Sequence, residues 1–128
     1  MSEGEKEYNA KGTFDASKNG IVFLATKEVA FDNLKDDFHL LGEGYGPSSV
    51  AFTVSRKLEG LGPHTVTNKD APVEWGVIIE GVHVEYESAE ATFNFHDKYR
   101  VRVIGNITFT LKDKTTVKGA FDIERKNN

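Results

Sequence analysis

Four histidines are the first residues whose chemistry could define a site. His83 and Glu85 are two positions apart, so on a strand their side chains share one face, as two ligands of a metal ion would. A metal site needs a third ligand, and only the fold could bring His39, His64 or His96 to this pair. The HExxH and His-x-His patterns are absent. We therefore predict no metal site and no cofactor.

Three glutamates raise the question of acid–base catalysis. Glu85, Glu87 and Glu90 could supply the paired carboxylates that glycosidases use. The same side chains also fit a solvated strand face, or ion pairs with Arg100 and Arg102 on an adjacent strand. Nucleophilic catalysis has no cysteine to use, and no Gly-x-Ser-x-Gly motif is present. These observations leave open whether the protein is an enzyme, with the balance against it.

Aromatic and imidazole side chains beside loops are better candidates for binding. Residues 42–48 hold three glycines, which permit close backbone approach, and Tyr45 among them could be a platform for a sugar ring or a peptide. Trp75 is the only tryptophan and is either an exposed stacking surface or a core residue. His64 lies in a second loop-rich stretch, residues 60–72. The predicted ligand-binding residues are Tyr45, His64, Trp75 and His83.

Strands must position these side chains, because apolar and polar residues alternate along much of the chain. Within residues 99–125 the alternation predicts two long strands joined by a polar loop. Asn19 and Gly20 predict a second tight hairpin, since both residue types tolerate positive φ. Residues 11–15 and 118–122 share the pattern Lys-Gly-x-Phe-Asp, which suggests that the first and last strands are neighbours.

A change of register interrupts the extended region at residues 74–95. Val82, Val84 and Tyr86 alternate with polar residues, and the apolar set then moves by one position at Ala89. A shift of one residue sends every following side chain to the other face of a sheet. We therefore expect a tight turn at residues 80–81 or a β-bulge near residues 87–88.

The spacing of these segments predicts an all-β protein. Eight or nine strands recur at intervals of about ten residues with hardly any helix, as in sandwiches and barrels. We predict a single antiparallel β-sandwich of eight or nine strands, with a closed or partly closed β-barrel as the alternative. A length of 128 residues fits one domain, which we place at residues 8–126 after a disordered tail at residues 1–7.

Charge and hydropathy limit the partners. The net charge is −4, and residues 97–128 are the basic part, with eight Lys or Arg against four Asp or Glu. No dense cationic cluster is present, so we predict no nucleic-acid binding. No apolar run could cross a membrane, and none resembles a secretory leader. A cytoplasmic protein is therefore expected, although a mature secreted domain would look the same.

No motif in the sequence identifies a function. The favoured hypothesis is a non-enzymatic binding module that presents loop aromatics to a carbohydrate or protein partner, since β scaffolds carry much of their function on loops. The alternative is a small β-barrel enzyme or carrier that holds an apolar small molecule in an internal cavity, with His83 or His39 inside. A third hypothesis is a homodimer, or a complex with a partner, formed through an exposed sheet edge.

Overall fold

The computed structural model describes residues 9–33, 36–44, 47–69, 75–97 and 99–126. These residues form eleven β-strands, and none of them belongs to a helix long and apolar enough to cross a membrane. The tail predicted at residues 1–7 lies outside the described ranges. The strands are β1 (Ala10–Lys18), β2 (Ile21–Thr26), β3 (Val29–Asn33), β4 (Asp37–Gly44), β5 (Ser48–Ser55), β6 (His64–Thr67), β7 (Gly76–Ile79), β8 (Val82–His83), β9 (Tyr86–Phe95), β10 (Arg102–Leu111) and β11 (Thr116–Arg125).

The eleven strands form two antiparallel sheets, which confirms the predicted β-sandwich. The six-stranded sheet has the order β2-β1-β11-β10-β9-β6, and the five-stranded sheet has the order β3-β4-β5-β7-β8. Neither sheet closes on itself, so the alternative of a closed barrel is wrong. The number of strands exceeds the eight or nine predicted, in part because residues 76–95 divide into β7, β8 and β9.

The strands of the five-stranded sheet cross those of the six-stranded sheet at a steep angle. At one end of β4, Phe38 contacts Phe95 on β9, with ring centroids 5.8 Å apart. At the other end of β4, a Cβ added to Gly44 would lie 2.7 Å from a methyl carbon of Leu24 on β2. One strand of the smaller sheet therefore spans the larger sheet from β9 to its edge at β2, as in orthogonal sandwich packing.

The first and last strands pair with each other, as their similar pentapeptides predicted. Phe14 lies opposite Phe121 in the antiparallel β1–β11 ladder. Gly12 has a φ of +133°, and a Cβ at this position would overlap the carbonyl oxygen of Asp122. Glycine is therefore required where the backbones of β1 and β11 approach each other.

Tight turns and a bulge set the register as the sequence indicated. Asn19 and Gly20 both have positive φ, at 51° and 85°, in the β1–β2 hairpin. Glu80 and Gly81 adopt the same conformation between β7 and β8, at 51° and 82°. The β9–β10 ladder also shifts register beside Leu111. The expected turn and the expected bulge are thus both present, and together they absorb the change of register.

Aromatic rings fill the space between the two sheets. Phe52 on β5 and Phe121 on β11 have ring centroids 5.1 Å apart, and Trp75 meets Phe109 of β10 at 6.3 Å. Rings at these separations are in contact, so this part of the interior is packed. The largest fully buried side chains are Phe14, Phe31, Phe52, Phe93, Phe109, Leu40, Ile107, Ile123, Val29, Val50, Val54 and Val77.

Three arginines cover one end of this interior. Arg100 does not pair with the glutamates of β9; its guanidinium donates to the backbone carbonyls of Arg56 and Leu58. Each guanidinium also lies 4.9 to 5.5 Å from the centre of a buried ring, a cation–π geometry that shields apolar surface from water. The pairs are Arg56 over Phe38, Arg100 over Phe95 and Arg125 over Phe31.

Candidate functional site

Three of the four residues predicted to bind a ligand lie in the described part of the chain, and these three do not share one surface. Tyr45 lies outside the described residues. His64 is half-buried on β6, an edge strand of the six-stranded sheet, where its ring packs against Phe93 with centroids 5.6 Å apart. Its Nε2 lies 3.0 Å from the carbonyl oxygen of Gly60. His83 is exposed on β8, an edge strand of the five-stranded sheet.

Trp75 belongs to the core, which is the second of its two expected placements. Its side chain is in contact with Phe52 and Phe109, and only 6% of the residue is exposed. The indole Nε1 donates a hydrogen bond of 3.0 Å to the carbonyl oxygen of Thr53. With only this small fraction exposed, Trp75 has no free surface on which a sugar could stack.

The structure instead presents a polar depression on the outer face of the six-stranded sheet, above β6, β9 and β10. Its volume is about 440 Å³. Hydroxyl and amide groups dominate its wall, with one carboxylate and one ammonium group. The residues of this polar depression are Thr67, Asn68, Lys69, Ser88, Ala89, Glu90, Thr92, Asn106, Thr108 and Thr110.

Strand alternation and pairing bring these side chains to one face. Thr92 on β9 lies opposite Asn106 on β10, and Glu90 lies opposite Thr108 in the same ladder. Residues directly opposite each other in a ladder point to the same side of the sheet. The intervening residue of β9, Ala91, is fully buried against the core, so the polar set faces outward.

Hydrogen bonds hold the β6 side of the depression in place. The Oγ1 atoms of Thr65 and Thr92 are 3.1 Å apart across the β6–β9 pair. Asn68 extends this pair by one residue, because its backbone N–H donates to the carbonyl of Ala89 and its Oδ1 accepts from the N–H of Ala89, both at 3.2 Å. The wall is therefore attached to the sheet rather than to a free loop.

A charged region occupies the other half of the same sheet face. Arg102 donates two hydrogen bonds to Asp122, of 2.9 and 2.8 Å. These bonds lower the pKa of the Asp122 carboxyl and raise that of the Arg102 guanidinium. The ion pair leaves the outer face divided into a charged half near β1 and β11 and a largely uncharged half at the depression.

The depression offers mainly hydrogen-bonding groups. Glu90 is the single carboxylate among the described lining residues, whereas glycosidases need two. Of the other predicted glutamates, Glu87 is held by the ammonium of Lys114 at 2.7 Å. No group of three or more histidine, aspartate or glutamate residues within the described ranges could hold a metal ion.

Apart from Glu90, which was considered only as a catalytic carboxylate, sequence reasoning missed the residues of this depression. Thr92, Asn106 and Thr108 stand at the polar positions of alternating strands, which marks them only as outward-facing. Their proximity to Thr67 depends on the pairing of β6 with β9, and no local signal announces that pairing. If the strand order had been known, it would have shown that four threonines and two asparagines lie close together at this depression.

Comparison of the chain with protein-family models, with curated proteins and with solved structures gives no significant match.

Proposed function

We propose that the protein is a non-catalytic binding module that holds a carbohydrate in the polar depression. The lining supports this proposal: seven hydroxyl or amide side chains face the space, against one carboxylate and one ammonium group. Hydroxyl and amide groups both donate and accept hydrogen bonds, as sugar hydroxyls do. A strongly charged ligand would find little to neutralise it in this lining.

Size and rigidity also support a small ligand. A volume of about 440 Å³ falls within the range of roughly 300–1,000 Å³ that small-molecule sites occupy. Eight of the ten lining residues stand on three paired strands, so little conformational freedom is lost when a ligand binds. No aromatic ring is among the described lining residues, so affinity would come from hydrogen bonds rather than from stacking.

This proposal keeps the ligand class favoured by the sequence and changes the surface. The sequence placed the binding groups on loop aromatics, and Tyr45 stays a prediction because it lies outside the described residues. Trp75 is buried and therefore has no part in the proposed site. The proposed contacts come from Thr92, Asn106 and Thr108 on the sheet face.

An oligosaccharide array, followed by calorimetry with the saccharide that is retained, tests the proposal. Thr108→Val removes one hydroxyl from the depression and keeps a β-branched side chain of similar shape, so the strand should be retained. Loss of one net hydrogen bond of about 0.5–1.5 kcal/mol should raise Kd roughly 3- to 10-fold.

Thr13→Val is the matched control. Thr13 is exposed on β1, outside the depression, so this variant should bind the same saccharide with the affinity of the wild type. Retention of no saccharide on the array would contradict the proposal. Equal affinity of Thr108→Val and the wild type would also contradict it, because the ligand would then lie elsewhere.

A further inference from the structure

An apolar groove runs along one edge of the six-stranded sheet. Its edge strand β2 pairs only with β1, so the other side of β2 has no strand partner among the described residues. Two depressions of about 510 and 490 Å³ follow β2, and Phe23 lines both. The far wall is formed by the ends of β4, β5 and β7, at Gly44, Ser48 and Ile79. We refer to these two depressions together as the β2 groove.

Exposed apolar side chains concentrate at this groove. Ile21 and Val22 on β2 are 75% and 66% exposed. Val82 is 64% exposed and lies opposite Ile79, so it shares a sheet face with a residue of the groove wall. Three of the six large apolar side chains that are exposed in the described part of the chain therefore meet at one corner. Such contiguous apolar surface marks an interaction site.

The edge of β2 has fewer of the features that usually protect a sheet edge. Its sequence, Ile-Val-Phe-Leu-Ala-Thr, contains no charge, proline or glycine. One bulge interrupts it, because Phe23 is left without a partner while Leu24 pairs with Ala16 and Val22 pairs with Ser17. Two residues of β2 precede the bulge and three follow it.

The other three edges are short or covered. Strands β6 and β8 have four and two residues. On β3 the side chain of Asn9 bonds both backbone groups of Phe31: its Nδ2 donates to the carbonyl at 3.0 Å, and its Oδ1 accepts from the N–H at 2.9 Å. The edge of β2 is longer than those of β6 and β8, and its backbone is not bonded by a side chain as that of β3 is, so it is the edge best suited to pair with a partner.

We propose that this partner is a second copy of the chain, and that two β2 strands pair antiparallel about a twofold axis. Each end of the β2 groove carries one cation and one anion: Lys18 and Glu80 at the Ile21 end, and Lys27 and Glu28 at the Thr26 end. Antiparallel pairing brings opposite ends together. Lys18 then faces Glu28 of the second copy, and Glu80 faces Lys27 of the second copy.

A twofold arrangement satisfies both the apolar and the charged groups. The same surface occurs on both copies, as an isologous interface requires, and the exposed side chains of Ile21 and Val22 are covered by the Thr26 half of β2 in the second copy. The two six-stranded sheets become one continuous sheet. The polar depression lies at the opposite end of the strand order, on β6, β9 and β10, so the inference does not depend on the proposed carbohydrate site.

Sedimentation velocity of the full chain over a concentration series tests the pairing. The wild type should sediment as a dimer at micromolar concentration. Val22→Lys should raise the dimer dissociation constant at least tenfold, because a charge at the centre of the pairing would be buried against the second copy. Val22 is two-thirds exposed in the single chain, so a lysine at this position should not disturb the fold. Ile21→Lys is the second variant, because Ile21 is still more exposed.

Ile104→Lys is the matched control, since Ile104 is also an exposed apolar residue but lies on β10, away from the groove. This variant should remain a dimer. Lys18→Glu should weaken the dimer, because it would place two carboxylates opposite each other. The double variant Lys18→Glu with Glu28→Lys should restore the dimer, because opposite charges would face each other again. A monomeric wild type, larger assemblies, or a dimer that withstands both Val22→Lys and Ile21→Lys would overturn the proposal.

Discussion

Replacement of Trp75 by phenylalanine tests whether the indole N–H stabilises the smaller sheet. Trp75 donates to the carbonyl oxygen of Thr53 on β5. The β5–β7 ladder ends where Gly76 pairs with Ala51, so no strand of the described chain reaches Thr53 from that side. The indole therefore supplies the hydrogen bond that a longer β7 would have made.

The size of the effect follows from the burial of this bond. Thr53 is 3% exposed, so we expect its carbonyl oxygen to be left without a donor when the indole N–H is removed. An unsatisfied buried acceptor costs about 1–3 kcal/mol. For a chain of 128 residues, each kcal/mol corresponds to about 4 °C in Tm, so Trp75→Phe should lower Tm by roughly 4–12 °C.

Urea unfolding followed by far-ultraviolet circular dichroism measures this loss without the tryptophan signal. Benzothienylalanine at position 75 is the control, because sulfur replaces the N–H while the bicyclic shape is kept. If the hydrogen bond is responsible, this variant should lose most of the same free energy of unfolding. A change below about 0.5 kcal/mol for Trp75→Phe would refute the reasoning, because the carbonyl of Thr53 would then have another donor.

Three further substitutions test the backbone and the electrostatics. Gly12→Ala should cost more than about 3 kcal/mol in urea unfolding, because the added Cβ overlaps the neighbouring strand; Gly20→Ala has positive φ but open space and should cost only about 1–2 kcal/mol. Asp122 has a lowered folded-state pKa, so its stabilising effect is present above the unfolded pKa of about 3.9 and is lost as pH falls through the folded value. Asp122→Asn should therefore flatten the acid limb of stability against pH, and equally steep limbs would contradict the role of Arg102.

The fold class was predictable because strand alternation is local. Val103, Phe109 and Phe121 stand at the apolar positions of their strands, and all three are buried. Asn19 and Gly20 likewise form the expected turn, since the φ they adopt depends mainly on the residue itself. The pairing of the first and last strands was also predictable, but only because two pentapeptides happen to be similar.

The candidate site was not predictable, because it depends on contacts between distant residues. The pairing of Thr65 with Thr92 joins positions 27 residues apart. Trp75 shows a second difficulty. An aromatic side chain near a loop can stack on a ligand or on the core, and Trp75, directly before the first residue of β7, packs into the core. Residue type alone does not contain that information.

The two proposed surfaces require different properties of the six-stranded sheet, and they lie at opposite ends of its strand order. A hydrogen-bonding site needs side chains held rigidly, and the polar depression uses β9, which is paired on both sides. A pairing surface needs backbone groups that no neighbour uses, and only an edge strand such as β2 offers them. Antiparallel pairing through β2 would therefore place one depression toward each far end of a continuous sheet. Two such sites on one rigid body would bind a repetitive saccharide more tightly than one, provided that the saccharide spans the distance between them.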